Sequence, residues 1–106
     1  MAEKRRARRY ELNIDILEIN GKPVQGARIL NLSTNGAKLE LTYSPRINEQ
    51  LIFNFILPGL KRQNKIIGKV SWKKPTLEGR YIIGLQFFNN FWDIDQWFRN
   101  QIFKPT

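Results

Sequence analysis

The sequence contains no cysteine and no histidine among its 106 residues. The absence of cysteine excludes disulfide bonds and thiolate nucleophiles, and the absence of histidine removes the commonest general base of enzymes. No cluster of metal-ligating residues is visible, and neither is a P-loop or a dinucleotide-binding glycine fingerprint. The sequence therefore predicts a binding protein rather than an enzyme, with no metal and no cofactor.

Long apolar runs are also missing, so no transmembrane segment is expected. The N-terminus is basic, but the apolar segment of a secretory signal does not follow it. Hydrophobic residues make up 42% of the chain, which suits one small folded domain rather than a disordered chain. We therefore expect a single cytoplasmic domain.

Acidic residues are few in comparison with basic ones, and the formal net charge is +9. Residues 1–9 contain five of the 18 basic residues and one of the nine acidic residues, so the remaining chain still carries +5. This balance indicates an anionic partner: nucleic acid, a nucleotide, an anionic membrane or an acidic protein. The alternative for the folded part is that its charge only maintains solubility.

Alternation of apolar and polar residues predicts six short strands separated by turns. The clearest case is residues 37–43, in which every second residue is apolar or aromatic. Asn20-Gly21 predicts a hairpin turn, followed by a second strand from about Val24. Gly68 and Gly84 lie inside predicted strands, where glycine often marks a bulge or a barrel corner.

The C-terminal segment has helical rather than strand periodicity, which predicts a helix over about residues 90–103 with Asn90 as its cap. Its recurring apolar residues are Phe91, Ile94, Phe98 and Ile102. We expect an all-β fold: a small six-stranded antiparallel barrel with this helix packed over an open end. The strand aromatics, Trp72 included, are expected mostly in the core. Exposure of Trp92 or Trp97 would instead favour a partner surface.

An arginine-rich arm, Lys4-Arg5-Arg6-Ala7-Arg8-Arg9, leads into the first strand. Arginine presents a planar fork of donors that binds phosphate, matches the O6/N7 edge of guanine and stacks on bases. Arg5 and Arg9, four positions apart, could therefore hold a ligand that carries both phosphates and guanines. Taken alone, the arm fits equally a solvated basic tail or a nonspecific nucleic-acid arm.

A short turn, Asn31-Leu32-Ser33-Thr34-Asn35-Gly36, follows the second predicted strand. Asn31 offers an amide that both donates and accepts, and Ser33 offers a hydroxyl. Gly36 allows a positive φ and lets a backbone N–H come close to a ligand. Taken alone, this is also the composition of an ordinary hairpin turn.

Together and in this order, Arg5-x-x-x-Arg9 and Asn31-x-Ser33-x-x-Gly36 resemble the two-part signature of the PilZ domain, the bacterial receptor for cyclic di-GMP. Gly68-Lys69-Val70-Ser71-Trp72 and Gly84-Leu85-Gln86-Phe87 also resemble the later strands of that family. The resemblance covers nearly the whole chain. It implies a PilZ-like barrel over residues 12–106, preceded by a flexible arm over residues 1–11.

The resemblance also implies a mechanism, in which the arm wraps around cyclic di-GMP on the barrel surface. Arg5 and Arg9 would contact phosphates and guanines, and Asn31 and Ser33 would hydrogen-bond the ligand, with Asn31 recognising guanine. Gly36 would keep the turn tight. Further arm contacts are open for three residues, namely Lys4, Arg6 and Arg8. Ordering of the arm would signal to a downstream protein partner.

The sequence leaves two alternatives to a cyclic di-GMP receptor. A small basic barrel could bind RNA or single-stranded DNA, which would need exposed aromatic residues on one sheet face. No RNP-like aromatic motif supports that function. A PilZ-like domain could also act as an interaction module without nucleotide binding.

Overall fold

The structure of the protein, a computed structural model, describes residues 9–103. Within this range the chain forms eight strands and a C-terminal helix. These elements are β1 (Tyr10–Asp15), β2 (Glu18–Ile19), β3 (Lys22–Pro23), β4 (Arg28–Leu32), β5 (Gly36–Leu41), β6 (Gln50–Phe55), β7 (Asn64–Pro75), β8 (Tyr81–Phe87) and α1 (Asp93–Phe103).

The eight strands form one antiparallel sheet in the order β1-β4-β5-β8-β7-β6-β2-β3. The sheet curls because the chain bends between β1 and β2. Ile16 N donates to Ala27 O at 2.9 Å beside β4, and Leu17 N donates to Asn54 O at 2.8 Å on β6. One continuous stretch thus pairs first with one side of the sheet and then with the other, which confirms the predicted barrel-like fold. The strand β3, which lies at one edge of the sheet, ends in the exposed residue Pro23.

The number of strands differs from the predicted six because the Asn20-Gly21 hairpin has strands of its own. Asn20 and Gly21 have φ values of 54° and 82°, as a two-residue turn of type I′ requires. The hairpin was therefore predicted correctly, but its strands, β2 and β3, are two residues long, too short for alternation to reveal. The next strand begins at Arg28, not near Val24.

The core lies inside the curled sheet and contains the apolar set of each long strand. On β5, Ala37, Leu39 and Leu41 are at most 3% exposed, while the residues between them are partly exposed. Phe53 and Phe55 of β6 stack at 5.6 Å between ring centroids. Alternation therefore identified the core faces of these strands.

Helix α1 covers one end of this core, as predicted. Ile94 is fully buried and Trp97 is 8% exposed. Trp97 Nε1 donates to Pro58 O at 2.9 Å, which satisfies the indole N–H at a buried position. The helix begins at Asp93, so Asn90 is not its cap; Asp93 and Asp95 instead place negative charge in its first turn. Within residues 9–103, no helix has the length and apolarity needed to cross a bilayer.

The start of β1 brings the end of the basic arm to this helix. Tyr10 and Glu11, which were assigned to the arm, belong to β1. The Tyr10 ring packs on Phe98 with 4.2 Å between centroids, and its hydroxyl donates to Asp95 Oδ1 at 2.7 Å. Arg9 is therefore followed directly by a residue fixed in the core.

Candidate functional site

The motif turn, defined here as Ser33–Gly36, is held together by one buried hydroxyl. Ser33 is 2% exposed, and its Oγ accepts from Gly36 N at 3.2 Å and from Asn35 N at 3.4 Å. The hydroxyl proton is directed to Asn35 Oδ1 at 2.9 Å or Gly36 O at 3.2 Å. Ser33 N also donates to Gly36 O at 2.9 Å. Ser33 thus fixes the turn from within, as serine does in other tight turns.

Gly36 is required at the end of this turn for a steric reason, and the positive φ that glycine allows is not used here. Its φ does not lie in the left-handed region, which within residues 9–103 is occupied by other glycines and by two asparagines. A Cβ atom at Gly36 would lie 2.7 Å from the backbone oxygen of Leu85 on β8. The absence of a side chain therefore lets the turn approach β8 closely.

Asn31 lies at the end of β4 rather than in the turn. A bulge between Ile29 and Asn31 shifts the register, so that Asn31 pairs with Lys38 and Leu32 pairs with Ala37. Leu32 and Ala37 are core residues, so Asn31 and Lys38 face outward. Asn31 is nevertheless 5% exposed, and within the described chain its Oδ1 atom is buried without a hydrogen-bond partner.

A second bulge turns Trp72 of β7 to the same outer face. The register passes from Val70–Leu85 to Trp72–Gly84, which leaves Ser71 as the extra residue. In a strand without this bulge, Trp72 would share the inward face with Val70, which is the face that the sequence predicted for it. The Trp72 side chain is 44% exposed, so the prediction that it belongs to the core is wrong.

The bulges produce a row of outward-facing positions across four neighbouring strands. We call it the outer row, and it consists of Asn31, Lys38, Gly84 and Trp72. The indole of Trp72 lies over Gly84, where a Cβ would overlap its ring. Glycine at position 84 therefore allows the indole to lie across β8.

A pocket of about 350 Å³ opens on this face between the motif turn and Trp72. Its wall includes two residues of the motif turn, Asn35 and Gly36, together with the cation Arg9 and the aromatic ring of Trp72. Gln86 and Asn90 add amide groups at the surface. The pocket thus combines a cation, a planar stacking surface and several hydrogen-bonding groups, which suits an anionic ligand with an aromatic base.

The motif turn is also tied to the segment that leads into α1. Phe87 N donates to Asn35 O at 2.9 Å, and Phe91 N donates to Thr34 O at 2.6 Å. Between these two bonds lies Asn90, which contributes to the pocket. The motif turn is therefore joined by hydrogen bonds to the segment that leads into α1.

The structure brings together only some of the residues that the sequence singled out. Arg9 and Gly36 border the pocket. Asn31 lies beside it in the outer row, and Ser33 is buried inside the motif turn. Four arm residues lie outside the described part of the chain: Lys4, Arg5, Arg6 and Arg8. Within residues 9–103, no three acidic residues, histidines or cysteines group as metal ligands would.

Sequence reasoning missed the contribution of Trp72, Asn35, Gln86 and Asn90 to the pocket. Asn90 was assigned to a helix cap and Trp72 to the core. The Gly84 position opposite Trp72 was a usable signal, since an interior strand glycine often marks a close approach. That approach is made here by an indole ring.

Comparison with domain families matches residues 3–102 to the PilZ domain. Among solved structures, the structure of Bacillus subtilis Inhibitor of motility (MotI/DgrA) is similar, with a TM-score of 0.72 and 18% sequence identity. The similarity covers 98% of this chain and 54% of that chain, so the present chain spans about half its length. At this identity the likeness shows a shared fold. No curated protein sequence matches the chain.

Proposed function

The chain belongs to the PilZ domain family, a family of cyclic di-GMP receptors, and from this premise we propose that it binds cyclic di-GMP on the outer face of the barrel. The observation that carries the proposal is the pocket in which Arg9, the motif turn and Trp72 converge. Cyclic di-GMP offers two phosphates and two purine bases to these groups. A receptor, and not an enzyme, is the function that this set of residues supports.

The arm supplies the cationic half of the proposed site. Arg9 borders the pocket, and Arg5 lies four residues before it in the RxxxR motif. We assign both guanidinium groups to the phosphates and guanine faces of the ligand, with Lys4, Arg6 and Arg8 as further cations. In this mechanism the arm closes over the ligand, so that part of the contact energy is offset by the ordering of the arm.

The barrel supplies the fixed half of the site. Asn31 presents a buried amide oxygen without a partner in the described chain, which suits the donor groups of guanine. Ser33 and Gly36 keep the turn close to β8. Trp72 adds a surface on which one base stacks, and such stacking contributes about 1–3 kcal/mol per base.

The test is a calorimetric titration of the protein with cyclic di-GMP, with GTP and cyclic di-AMP as controls, at two salt concentrations. Selective binding of cyclic di-GMP with micromolar affinity or tighter is expected. Absence of heat from a folded sample would contradict the proposal. An RNA titration of the same sample would then distinguish a nucleic-acid binder, which shows steep salt dependence, from an interaction module without a nucleotide.

Arg9→Ala gives a sharper result, since Arg9 is exposed and lies outside the strands and the helix. We expect loss of cyclic di-GMP binding with an unchanged circular dichroism spectrum and thermal midpoint. The matched control is Arg99→Ala, because Arg99 is an exposed arginine of α1 that does not border the pocket. Equal affinities of wild type and Arg9→Ala would refute the assigned role of the arm.

The signal would pass from the pocket to a downstream protein through α1. The strand that follows the arm, β1, connects to this helix through the Tyr10–Asp95 hydrogen bond, and the motif turn connects to the segment before the helix through the Phe91–Thr34 hydrogen bond. Both halves of the site are therefore connected to α1 or to the segment that leads into it. Phe88 and Trp92, which are 52% and 67% exposed, flank the second connection and offer a contact surface to a partner.

A further inference from the structure

Lys38 occupies a position in the outer row that neither part of the sequence signature explains. It pairs across strands with Asn31 of β4 on one side and with Gly84 of β8 on the other. Directly opposed residues on one face of a sheet have Cβ atoms about 4.5–5.5 Å apart. The lysine stem therefore rises next to the Asn31 amide, on the face that carries the pocket.

Within the described residues, both groups are left without polar partners. Asn31 Oδ1 is buried and accepts no hydrogen bond, and Lys38 takes part in no ion pair and no side-chain hydrogen bond. Glu40, two residues along the same face of β5, is held by two other cations. Arg28 lies 2.9 Å from it and Arg80 lies 3.7 Å from it. Glu11 of β1, which lies opposite Asn31, forms no ion pair with Lys38 in the described chain. An acceptor and a cation thus lie side by side with no described group to satisfy either.

This pair of groups is complementary to one purine base. On its Watson–Crick edge guanine presents the acceptor O6 beside the donors N1–H and N2–H₂, whereas adenine presents the donor N6–H₂ beside the acceptor N1. A lysine ammonium donates and cannot accept, while an amide oxygen accepts and cannot donate. Guanine therefore satisfies both groups in one orientation. Adenine in that orientation would place a donor against the ammonium and an acceptor against the amide oxygen.

We propose that Lys38 is a specificity-determining residue that donates to guanine O6 while Asn31 Oδ1 accepts from the N1–H and N2–H₂ edge. This inference rests on the proposed function and adds a base-reading residue to it. The lysine is carried by the rigid sheet rather than by the arm, so the guanine edge is read at a fixed position. Selection against adenine is then made by residues of the sheet.

Lys38→Met tests the inference, because methionine keeps much of the apolar stem and removes both the donor and the charge. Affinities for cyclic di-GMP and cyclic di-AMP are measured by competition, at concentrations high enough to follow weak binding. We expect cyclic di-GMP to bind at least about tenfold more weakly, with no change for cyclic di-AMP. An equal loss for both ligands would assign Lys38 to the phosphates and overturn base reading. No loss for either ligand would also overturn base reading.

Two further variants keep the result interpretable. Lys38→Arg retains donors that match guanine O6 and is expected to restore most of the selectivity. Lys74→Met removes an exposed lysine of β7 that lies opposite Ile82, outside the outer row, and is expected to leave both affinities unchanged. If Lys38→Met still binds like the wild type while Arg9→Ala does not bind, this inference fails and the proposed function stands. If the wild type binds no cyclic di-GMP, the proposed function itself fails.

Discussion

Gly36 and Gly84 both border the pocket, yet the absence of a side chain serves a different need at each. At Gly36 a Cβ would lie 2.7 Å from a backbone oxygen, that of Leu85. At Gly84 it would overlap the indole of Trp72, which is a side chain with freedom to move. A side chain at position 36 is therefore expected to reduce the stability of the barrel, whereas a side chain at position 84 is expected to change the shape of the site.

Gly36→Ala is expected to destabilise the fold by about 1–3 kcal/mol, because β5 and β8 must separate to admit the new methyl group. Gly84→Ala is expected to remain within about 1 kcal/mol of the wild type, because the indole can swing outward. Urea denaturation monitored by circular dichroism measures both values. Equal destabilisation by the two substitutions would contradict this distinction.

The same Gly84→Ala variant should bind cyclic di-GMP about tenfold more weakly, since the displaced indole no longer offers its face to a base. Trp72→Phe keeps an aromatic ring and is expected to lose less affinity than Trp72→Ala. Calorimetry on the three variants provides the comparison. Unchanged affinity in Gly84→Ala would exclude a stacking role that depends on the present position of the indole.

At the scale of the elements, Tyr10 links α1 to β1, the strand that follows the arm. Tyr10→Phe keeps the ring against Phe98 and removes the hydroxyl that donates to Asp95. We expect a loss of about 1–2 kcal/mol in stability and faster amide exchange in the first turns of α1. If the helix relays the signal, cyclic di-GMP should also protect these amides less in the variant than in the wild type.

The control for this experiment is Tyr81→Phe, which removes a hydroxyl from a partly buried tyrosine on β8, away from the helix. Exchange in α1 should be unaffected by this change. Identical exchange in α1 of the wild type and Tyr10→Phe, with and without the ligand, would show that the hydroxyl transmits nothing.

The elements also show what the sequence could and could not predict. Alternation located the long strands, since every second residue of β5 enters the core. It failed at the bulges of β4 and β7, because the pattern there changes face without any change in composition. Asn31 and Trp72 both follow such bulges. The signature identified Asn31 as functional but not its surroundings, and Trp72 was assigned to the wrong side of the sheet.

Boundaries were less predictable than the presence of the elements. Asn90 precedes an apolar pattern and has the composition of a cap, but its segment is held by the Phe91–Thr34 hydrogen bond, so the helix begins only at Asp93. That bond joins residues far apart in the sequence, and no local pattern contains it. The pocket was unpredictable for the same reason, since its wall combines β5, β7, β8, the segments next to β5 and β8, and Arg9 ahead of β1.

On the scale of the whole molecule, the barrel and α1 form one hydrophobic core. Ile94→Ala removes a fully buried side chain from the contact between them and is expected to cost about 2–5 kcal/mol. Gln96→Ala, at an exposed position of the same helix, should change stability little. The loss is large compared with the total stability of a small domain, about 5–15 kcal/mol.

Unfolding of Ile94→Ala should remain a single transition, with far-ultraviolet circular dichroism and tryptophan fluorescence giving the same midpoint. The reason is that Trp97 and Ile94 belong to the same core cluster as the residues of the strands. A separate, earlier loss of helical signal would show instead that α1 is an independent unit attached to the barrel.

The short strand β3 has a consequence for the behaviour of the protein at high concentration. An unpaired sheet edge can recruit strands from other molecules and begin aggregation. Here β3 contains two residues, and the second, Pro23, has no N–H to donate. This edge is therefore a poor template for intermolecular strand addition, and the barrel is protected on that side against the self-association to which open β-sheets are prone.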